Sequence, residues 1–361
     1  MLRKTTIKAI IPLFNINYKF MPASKPHTHF YGIWPEMKDY VRSKMSGFSC
    51  SVSDQNITPE NIDPKTEILA VFVESPVTKA IINKLPKLKM IATMSTGFDH
   101  IDLTAAKTRH IPVCNVPSYG ENTVAEHAMA LMLGLTRKLF QSVKRVKEGV
   151  YDFHGLRGVD LKGKTLGVVG TGHIGAHLIK MAKGFDMNVL AYDPYPNRDL
   201  AKKLDFQYVT LDKLLANSDF ISLHVPLFKN TYHLINQKNI KKIKKGAYLI
   251  NTARGGLIDP EALVWALQKN QIAGAGLDVL EDENFIQNEE KIIGGCTDCQ
   301  LKTNLMNDII IDHPNTIVTP HNAFNSTEAL RRIVDTTVDN IKSFAKGEVK
   351  NDVTAPKLKN K

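Results

Sequence analysis

The chain has 361 residues, enough for two domains of ordinary size. An apolar fraction of 43% with 23% charged residues excludes a disordered chain, and no uncharged apolar run approaches the roughly 18 residues of a membrane-spanning helix. The formal net charge is +11, but the basic residues are scattered and accompany no nucleic-acid-binding motif, so we expect neither a nucleic acid nor a membrane as partner.

In chain order, a first block alternates β-rich runs with helical patterns. The predicted strands are IKAIIPLF near the N-terminus, EILAVFVES, LKMIATMST and IPVCNVPS. Helices are predicted for residues 34–45 and 75–84. The N-terminus resembles a signal peptide in its charges, but its apolar run is short, contains a proline and leads to no cleavage site, so a strand is favoured. Four cysteines form no disulfide framework, which favours the reducing cytoplasm.

A second block follows a long helix predicted for residues 122–149. Its predicted strands are TLGVVG, NVLAYD, DFISLHV, AYLINTA, AGAGLDV and TIVTPH, and a helix over residues 327–346 follows them. Several of these runs are continuously apolar, as in parallel strands covered on both faces. The sequence therefore predicts an α/β protein with two doubly wound parallel-sheet domains. The second block (residues 120–323) is expected to form a domain inserted into the other domain (residues 1–119 and 324–361), with the active site in the cleft between them.

The segment VVGTGHIG carries the G-x-G-x-x-G pattern between a strand and a helix. Gly170 makes the tight turn, Gly172 lets the backbone approach a pyrophosphate, and Gly175 lets the helix pack closely on the strand. The backbone of His173 and Ile174 is expected to face the pyrophosphate at the helix N-terminus. Asp193 ends the next strand, where a carboxylate accepts hydrogen bonds from ribose hydroxyls and repels a 2′-phosphate. NAD (NADH) is therefore predicted over NADP, although Arg198 lies nearby in the sequence.

Polar residues follow the ends of several predicted strands, where open α/β sheets bind ligands. An arginine grips a carboxylate through two hydrogen bonds, a histidine exchanges a proton near neutral pH, and a carboxylate beside the histidine favours the imidazolium. Together these groups suit the oxidation of a hydroxy acid and the reduction of a keto acid. The candidates are Arg254, Asp278, Glu283, His321 and His224, with Pro226, Thr252 and Ala253 as further cofactor contacts.

Over residues 69–330 the sequence resembles the D-isomer-specific 2-hydroxyacid dehydrogenases, and among them the D-lactate dehydrogenase branch. The resemblance rests on STGFDHID, VPSYGENTVAEHA, VVGTGHIG, NTARGG, GLDVLEDE and TPHNAF, which occur in the family's order. It implies a Rossmann NAD-binding domain inserted into a flavodoxin-like substrate (catalytic) domain. It also implies a homodimer that packs through the long helix after the first hinge.

The resemblance assigns roles residue by residue. It makes Arg254 the ligand of the substrate carboxylate, His321 the acid and base, and Glu283 the orienting partner of His321. By its place in the acidic run EDEN alone, Glu283 would be predicted to be solvated. The resemblance further implies contact of Asp278 with the nicotinamide amide. Backbone N–H groups of Thr96 and Gly97 would hold the substrate carboxylate, and Tyr119 and Phe324 would surround the substrate.

The favoured hypothesis is NADH-dependent reduction of a small 2-keto acid, pyruvate first, to the D-2-hydroxy acid, with the reverse oxidation. A glyoxylate/hydroxypyruvate or phosphoglycerate-type dehydrogenase is the enzymatic alternative, and an NADH-sensing corepressor-like binding protein is the non-enzymatic one. Asn322 and Asn325 stand where the lactate branch often has Thr and Tyr. Cys296 and Cys299 have the spacing of metal ligands, but the chain contains no second pair, so no metal is predicted.

Overall fold

A computed structural model describes residues 25–283 and 298–355, without the side chains of Asp298 and Cys299. The strand predicted at residues 7–14 and the thiols of Cys296 and Cys299 lie outside the described residues. Contacts divide the chain into two compact units. The first includes the described residues up to Tyr119 and those from Leu330 onward, and the second extends from Gly120 to Ala329.

The first unit is built on a five-stranded parallel sheet. Its strands are β1 (Thr28–Tyr31), β2 (Cys50–Val52), β3 (Ile68–Val71), β4 (Met90–Thr93) and β5 (Val113–Cys114). Its helices are α1 (Lys38–Lys44), α2 (Lys79–Asn83) and α3 (Leu103–Thr108). The strand order β2-β1-β3-β4-β5 is that of flavodoxin-like sheets. Strands β3 and β4 are buried at every residue, which explains why all their residues except Thr93 are apolar.

The second unit contains a seven-stranded parallel sheet. Its strands are β6 (Thr165–Val169), β7 (Asn188–Tyr192), β8 (Gln207–Tyr208), β9 (Phe220–Leu223), β10 (Ala247–Asn251), β11 (Ile272–Leu277) and β12 (Thr316–Val318). Its helices are α4 (Glu121–Thr136), α5 (Leu139–Lys147), α6 (His173–Gly184), α7 (Arg198–Leu204), α8 (Leu211–Asn217), α9 (Pro260–Gln268) and α10 (Asp298–Asp312). A last helix, α11 (Thr327–Phe344), begins in this unit and continues into the first.

The strand order of the second sheet is β12-β11-β10-β9-β6-β7-β8, which reverses direction at β6. The chain runs outward from β6 through β7 to β8, then returns to β9 and runs outward on the other side. Ligands of open α/β sheets bind beyond the carboxyl ends of the strands at such a point. The predicted fold class, two doubly wound parallel-sheet α/β domains, is confirmed.

The helix predicted over residues 122–149 is instead two helices, α4 and α5, and the prediction of one helix was wrong. Lys138 between them adopts a left-handed conformation with φ of 49°. The carbonyl of Thr136 accepts a hydrogen bond from the amide of Val159, not from the next helical turn. A partner 23 residues further along the chain therefore ends the first helix, and the apolar spacing of the sequence continues across the break.

Three short strands, β1, β2 and β8, were not predicted, because each has at most four residues and lacks a long apolar run. The six strands predicted in the second block are all present. Among the described residues, no helix has both the length and the apolar character needed to cross a bilayer.

Candidate active site and cofactor site

The glycine turn between β6 and α6 is shaped by close packing at two of its three glycines. Gly170 has φ of 95°, and a Cβ there would lie 2.8 Å from the backbone of His224. A Cβ at Gly175 would lie 2.1 Å from the carbonyl oxygen of Gly170. A Cβ at Gly172 would meet nothing within 4 Å, so open space lies at the N-terminus of α6. This is the space that a diphosphate needs.

The first turn of α6 is well suited to an anion. Gly172 occupies the N-cap position and has no side chain that could cap the helix. His173 is exposed and Ile174 half-buried at the start of the helix. Their position at the positive end of a helix dipole fits the predicted contact with pyrophosphate oxygens.

Asp193 follows β7 and is held in a fixed orientation. Its Oδ2 accepts hydrogen bonds from the backbone N–H (2.8 Å) and the hydroxyl (2.9 Å) of Thr171, and its Oδ1 accepts one from the N–H of Tyr195. An open groove adjoins this carboxylate, lined by Tyr192, Asp193, Pro196, Tyr208, Val209, Thr210 and Lys213. A fixed acceptor beside a groove fits the ribose hydroxyls of NAD, so the residues present are compatible with this cofactor.

His321, which follows β12, and Glu283, which follows β11, form an ion pair although 38 residues separate them in the sequence. The imidazole Nδ1 of His321 lies 2.6 Å from Oε1 of Glu283. The hydrogen bond to Glu283 raises the pKa of His321 against an opposing effect of burial, and the positive charge of Arg254 opposes the increase. His321 therefore forms a hydrogen bond with Glu283 and lies close enough to Arg254 for the charge of the guanidinium to affect its pKa.

The backbone of His321 is unusual for a residue with a side chain. Its φ of 51° lies in the left-handed region. The amide of His321 donates to the carbonyl of Asp278, and the amides of Asn322 and Ala323 donate to the two carboxylate oxygens of Asp278. Strain of this kind persists where surrounding bonds enforce it, and it is common at functional sites.

Asp278 is almost completely buried, with 1% of its surface exposed. Besides the two amides, its Oδ1 accepts a hydrogen bond from the hydroxyl of Thr319 at 2.5 Å. His127 on α4 contacts Thr319 at 3.0 Å and lies 3.5 Å from Asp278 Oδ1. In the structure Asp278 thus orients the backbone around His321. His127 also belongs to this network.

Arg254 follows β10 and is half-buried. Its carbonyl accepts a hydrogen bond from the side-chain amide of Asn251, whose oxygen in turn accepts from the N–H of Ala253. The guanidinium donates one bond to the carbonyl of Ala253 at 2.8 Å. A guanidinium has five N–H donors, so this bond leaves others for a carboxylate.

The remaining predicted cofactor contacts follow β9 and β10. Burial lowers the pKa of His224 to about 4, and its Nε2 lies 2.8 Å from the hydroxyl of Ser222. Pro226 is exposed, Ala253 is half-buried, and Thr252 is buried with no hydrogen-bond partner for its hydroxyl among the described residues. An unpartnered buried hydroxyl is costly, and a ligand that bonds to it would remove that cost.

Thr96 and Gly97 belong to the first unit, in the loop after β4. Asn115 donates to the carbonyl of Thr96 at 2.9 Å, and Ser95 donates to the carbonyl of Gly97 at 2.6 Å. These bonds fix the loop whose amides are predicted to hold a carboxylate. Tyr119 is half-buried in the same unit, where its carbonyl accepts from Arg332.

Phe324 is half-buried and follows His321 in the second unit.

Two residues of the site could not be identified from sequence patterns. Thr171 fixes Asp193, and Thr319 bonds to Asp278. A hydroxyl has no distinctive spacing, so only the contacts identify them.

The model of the family "D-isomer specific 2-hydroxyacid dehydrogenase, NAD binding domain" matches residues 129–323. The chain is 37% identical over 292 residues to D-lactate dehydrogenase of Escherichia coli, which covers 78% of this chain and 84% of that protein. It is 36% identical over 287 residues to glyoxylate reductase of Korarchaeum cryptofilum (78% of this chain, 81% of that protein).

Among solved structures, D-lactate dehydrogenase of Aquifex aeolicus complexed with NAD and lactic acid is similar with a TM-score of 0.79 and 37% identity. That match covers 91% of this chain and 99% of the other. The chain therefore belongs to the D-isomer-specific 2-hydroxyacid dehydrogenase family, as its motifs predicted. It is an NAD-dependent oxidoreductase whose second unit contains the NAD-binding domain.

Proposed function

We propose that the protein reduces a small 2-keto acid, with pyruvate the first candidate, to the D-2-hydroxy acid, and that it catalyses the reverse oxidation. The observation that carries this proposal is the His321–Glu283 ion pair beside the charge of Arg254. The protonated imidazole provides an acid for the keto oxygen, and the guanidinium of Arg254 provides a ligand for the carboxylate.

Each residue has a distinct task in the proposed reaction. NADH, when bound, supplies the hydride. The imidazolium of His321 donates a proton from Nε2 to the keto oxygen, while Glu283 holds Nδ1 and stabilises the positive charge. In the oxidation, the neutral imidazole accepts this proton from the hydroxyl.

The fork of Arg254 binds the substrate carboxylate. The amides of Thr96 and Gly97 are proposed to hold the same group, with Tyr119 and Phe324 around the substrate. Asp278 is proposed to contact the nicotinamide amide. The further contacts proposed for the cofactor are His224, Pro226, Thr252 and Ala253. We also propose that residues 120–323 form the cofactor-binding domain, inserted into a substrate domain formed by residues 1–119 and 324–361.

The substrate assignment is tested by following NADH absorbance with pyruvate, glyoxylate, hydroxypyruvate and 3-phosphohydroxypyruvate, and by determining the chirality of the lactate formed. We expect the highest kcat/KM for pyruvate and D-lactate as the product. The similarity to a glyoxylate reductase makes glyoxylate the second candidate. Preference for another acid would overturn the pyruvate assignment. NADH binding without turnover of any acid would favour a sensing protein instead.

The protein is further proposed to be a homodimer. Helix α5 exposes Leu139, Val143 and Val146, which are 54%, 46% and 52% exposed and share one face. Apolar stripes of this kind mark protein interfaces, and a second copy is the occupant that the family resemblance implies. We propose a cytoplasmic location, which the free thiols of Cys50 and Cys114 support.

A further inference from the structure

Three potential metal ligands meet at the start of the first sheet, in a region with no assigned role in the dehydrogenase reaction. One imidazole nitrogen each of His27 and His29 and a carboxylate oxygen of Asp63 all lie within 4.8 Å of one another. His27 immediately precedes β1, His29 lies within it, and Asp63 precedes β3. From this geometry we propose that His27, His29 and Asp63 bind a divalent transition-metal ion of the zinc type.

The alternation of the strand brings the two histidines together. Residues two apart in a strand point to the same face, so His27, His29 and Tyr31 form one stripe. Thr28 and Phe30 on the opposite face are fully buried. The side chains of His27 and His29 could therefore turn to the buried face only if the register of β1 changed.

Tyr31 fastens the backbone of the loop that carries Asp63 to β1. Its ring stacks on His29 with centroids 4.0 Å apart. Its hydroxyl donates to the carbonyl of Asn61 at 3.0 Å and accepts from the N–H of Asp63 at 3.3 Å. The loop that carries Asp63 is thus fastened to the strand that carries His29, which reduces the entropy lost on metal binding.

The state of the ring nitrogens favours a metal ligand. Nδ1 of His29 is buried and has no hydrogen-bond partner among the described residues. His27 contacts the hydroxyl of Ser49 through Nδ1 (2.8 Å) and that of Ser51 through Nε2 (3.3 Å). Either serine can orient the ring while the other nitrogen binds the ion.

The composition of the site selects the ion. Two imidazoles and one carboxylate are ligands of zinc and its neighbours among the transition metals, whereas calcium and magnesium prefer oxygen alone. Zinc bonds of about 2.0–2.2 Å in a tetrahedron place the ligand atoms roughly 3.4 Å apart, and water would be the fourth ligand. The nearby Glu67 is already engaged by Lys89 and by the amide of His27.

The test titrates the metal-free full chain with Zn²⁺ by calorimetry, in a C296S/C299S background that removes the other ligand pair of suitable spacing. We expect one equivalent per chain. In H27Q and D63N the affinity should fall by roughly tenfold or more. The control H110N, which replaces an exposed histidine with positive φ in the same unit, should bind as the parent does. No binding by the parent, or unchanged affinity in both variants, would overturn the proposal.

A second measurement does not depend on the folding of the variants. X-ray absorption of the Zn²⁺-loaded C296S/C299S chain should show nitrogen and oxygen ligands with the scattering of two imidazoles. A spectrum with one imidazole or none would contradict the site.

Zn²⁺ should also raise Tm of the parent and of H110N, but not of H27Q or D63N, because a ligand stabilises only the chain that binds it.

Discussion

Oε1 of Glu283 lies 2.6 Å from Nδ1 of His321, and this contact raises the pKa of the imidazole. A raised pKa means that the protonated ring persists to higher pH than in a free histidine. Reduction of the keto acid needs the protonated ring, so the contact extends this reaction to higher pH. Oxidation of the hydroxy acid needs the neutral ring, so the same contact suppresses that reaction at lower pH.

Replacing Glu283 with Gln should return the pKa of His321 towards its ordinary value of 6.5. The alkaline limb of kcat for reduction should then move to lower pH, with activity falling roughly tenfold for each unit of pH above the pKa. The oxidation should reach its maximum at lower pH. Steady-state pH profiles in both directions measure these shifts. E281Q is the matched control, since Glu281 pairs with His233 at 2.7 Å, and its profiles should not move.

Substitution His321→Ala removes the proposed acid. We expect kcat to fall by roughly 10²–10⁴-fold, the usual contribution of a positioned acid or base, while the Kd for NADH measured by fluorescence changes little. Turnover within a few fold of the parent would disprove the assignment of His321. A large loss of NADH affinity would instead indicate a role in cofactor binding.

Substitution Arg254→Lys keeps the charge but loses the planar pair of donors. The lost bidentate bond to the substrate carboxylate should cost about 1.5–3 kcal/mol, or roughly ten- to hundredfold in kcat/KM. The affinity for NADH should be retained. The control is R137K, which makes the same substitution of arginine by lysine at an exposed position. Equal kcat/KM in the R254K variant and the parent would show that Arg254 does not bind the carboxylate.

The two outer glycines and the middle glycine of the turn should respond differently to substitution. The side chain of an aspartate at Gly172 would enter open space and cap α6, so the G172D variant should keep the Tm of the parent. Its negative charge would repel a diphosphate, so the variant should bind NADH roughly tenfold more weakly or worse. G175V places a Cβ against the carbonyl of Gly170 and should lose about 1–3 kcal/mol of stability. Thermal unfolding and NADH titration of both variants distinguish the effects. A stable G175V chain, or normal NADH affinity in G172D, would contradict this view of the turn.

The proposed dimer depends on the exposed face of α5. Introducing a charge there by V143E or V146E should convert the dimer to a monomer, because the buried charge would lack a partner. Sedimentation equilibrium measures the mass. K144E changes the charge of the same helix on its charged side and should leave the dimer intact. A parent protein that sediments as a monomer, or a V143E dimer of unchanged affinity, would exclude this interface.

The sequence by itself determined the features that depend on neighbouring residues. The glycine turn, the acid at the end of β7 and the buried strands are encoded within short segments, because backbone conformation and burial on both faces constrain adjacent residues directly. The resemblance to the family motifs added the roles proposed for His321 and Arg254. The motif register, and not the pattern of its own segment, distinguished Glu283 from the acidic residues around it.

Only the tertiary structure decided what depends on residues far apart in the chain. The amide of Val159 ends α4 at Thr136, although the apolar spacing continues past that point. Asp278 is linked to His127, 151 residues earlier, through Thr319. His27 and His29 acquire a third potential ligand, Asp63, only when a loop is fastened to β1. Such contacts depend on packing between segments, and a periodic pattern along one segment carries no information about its partner.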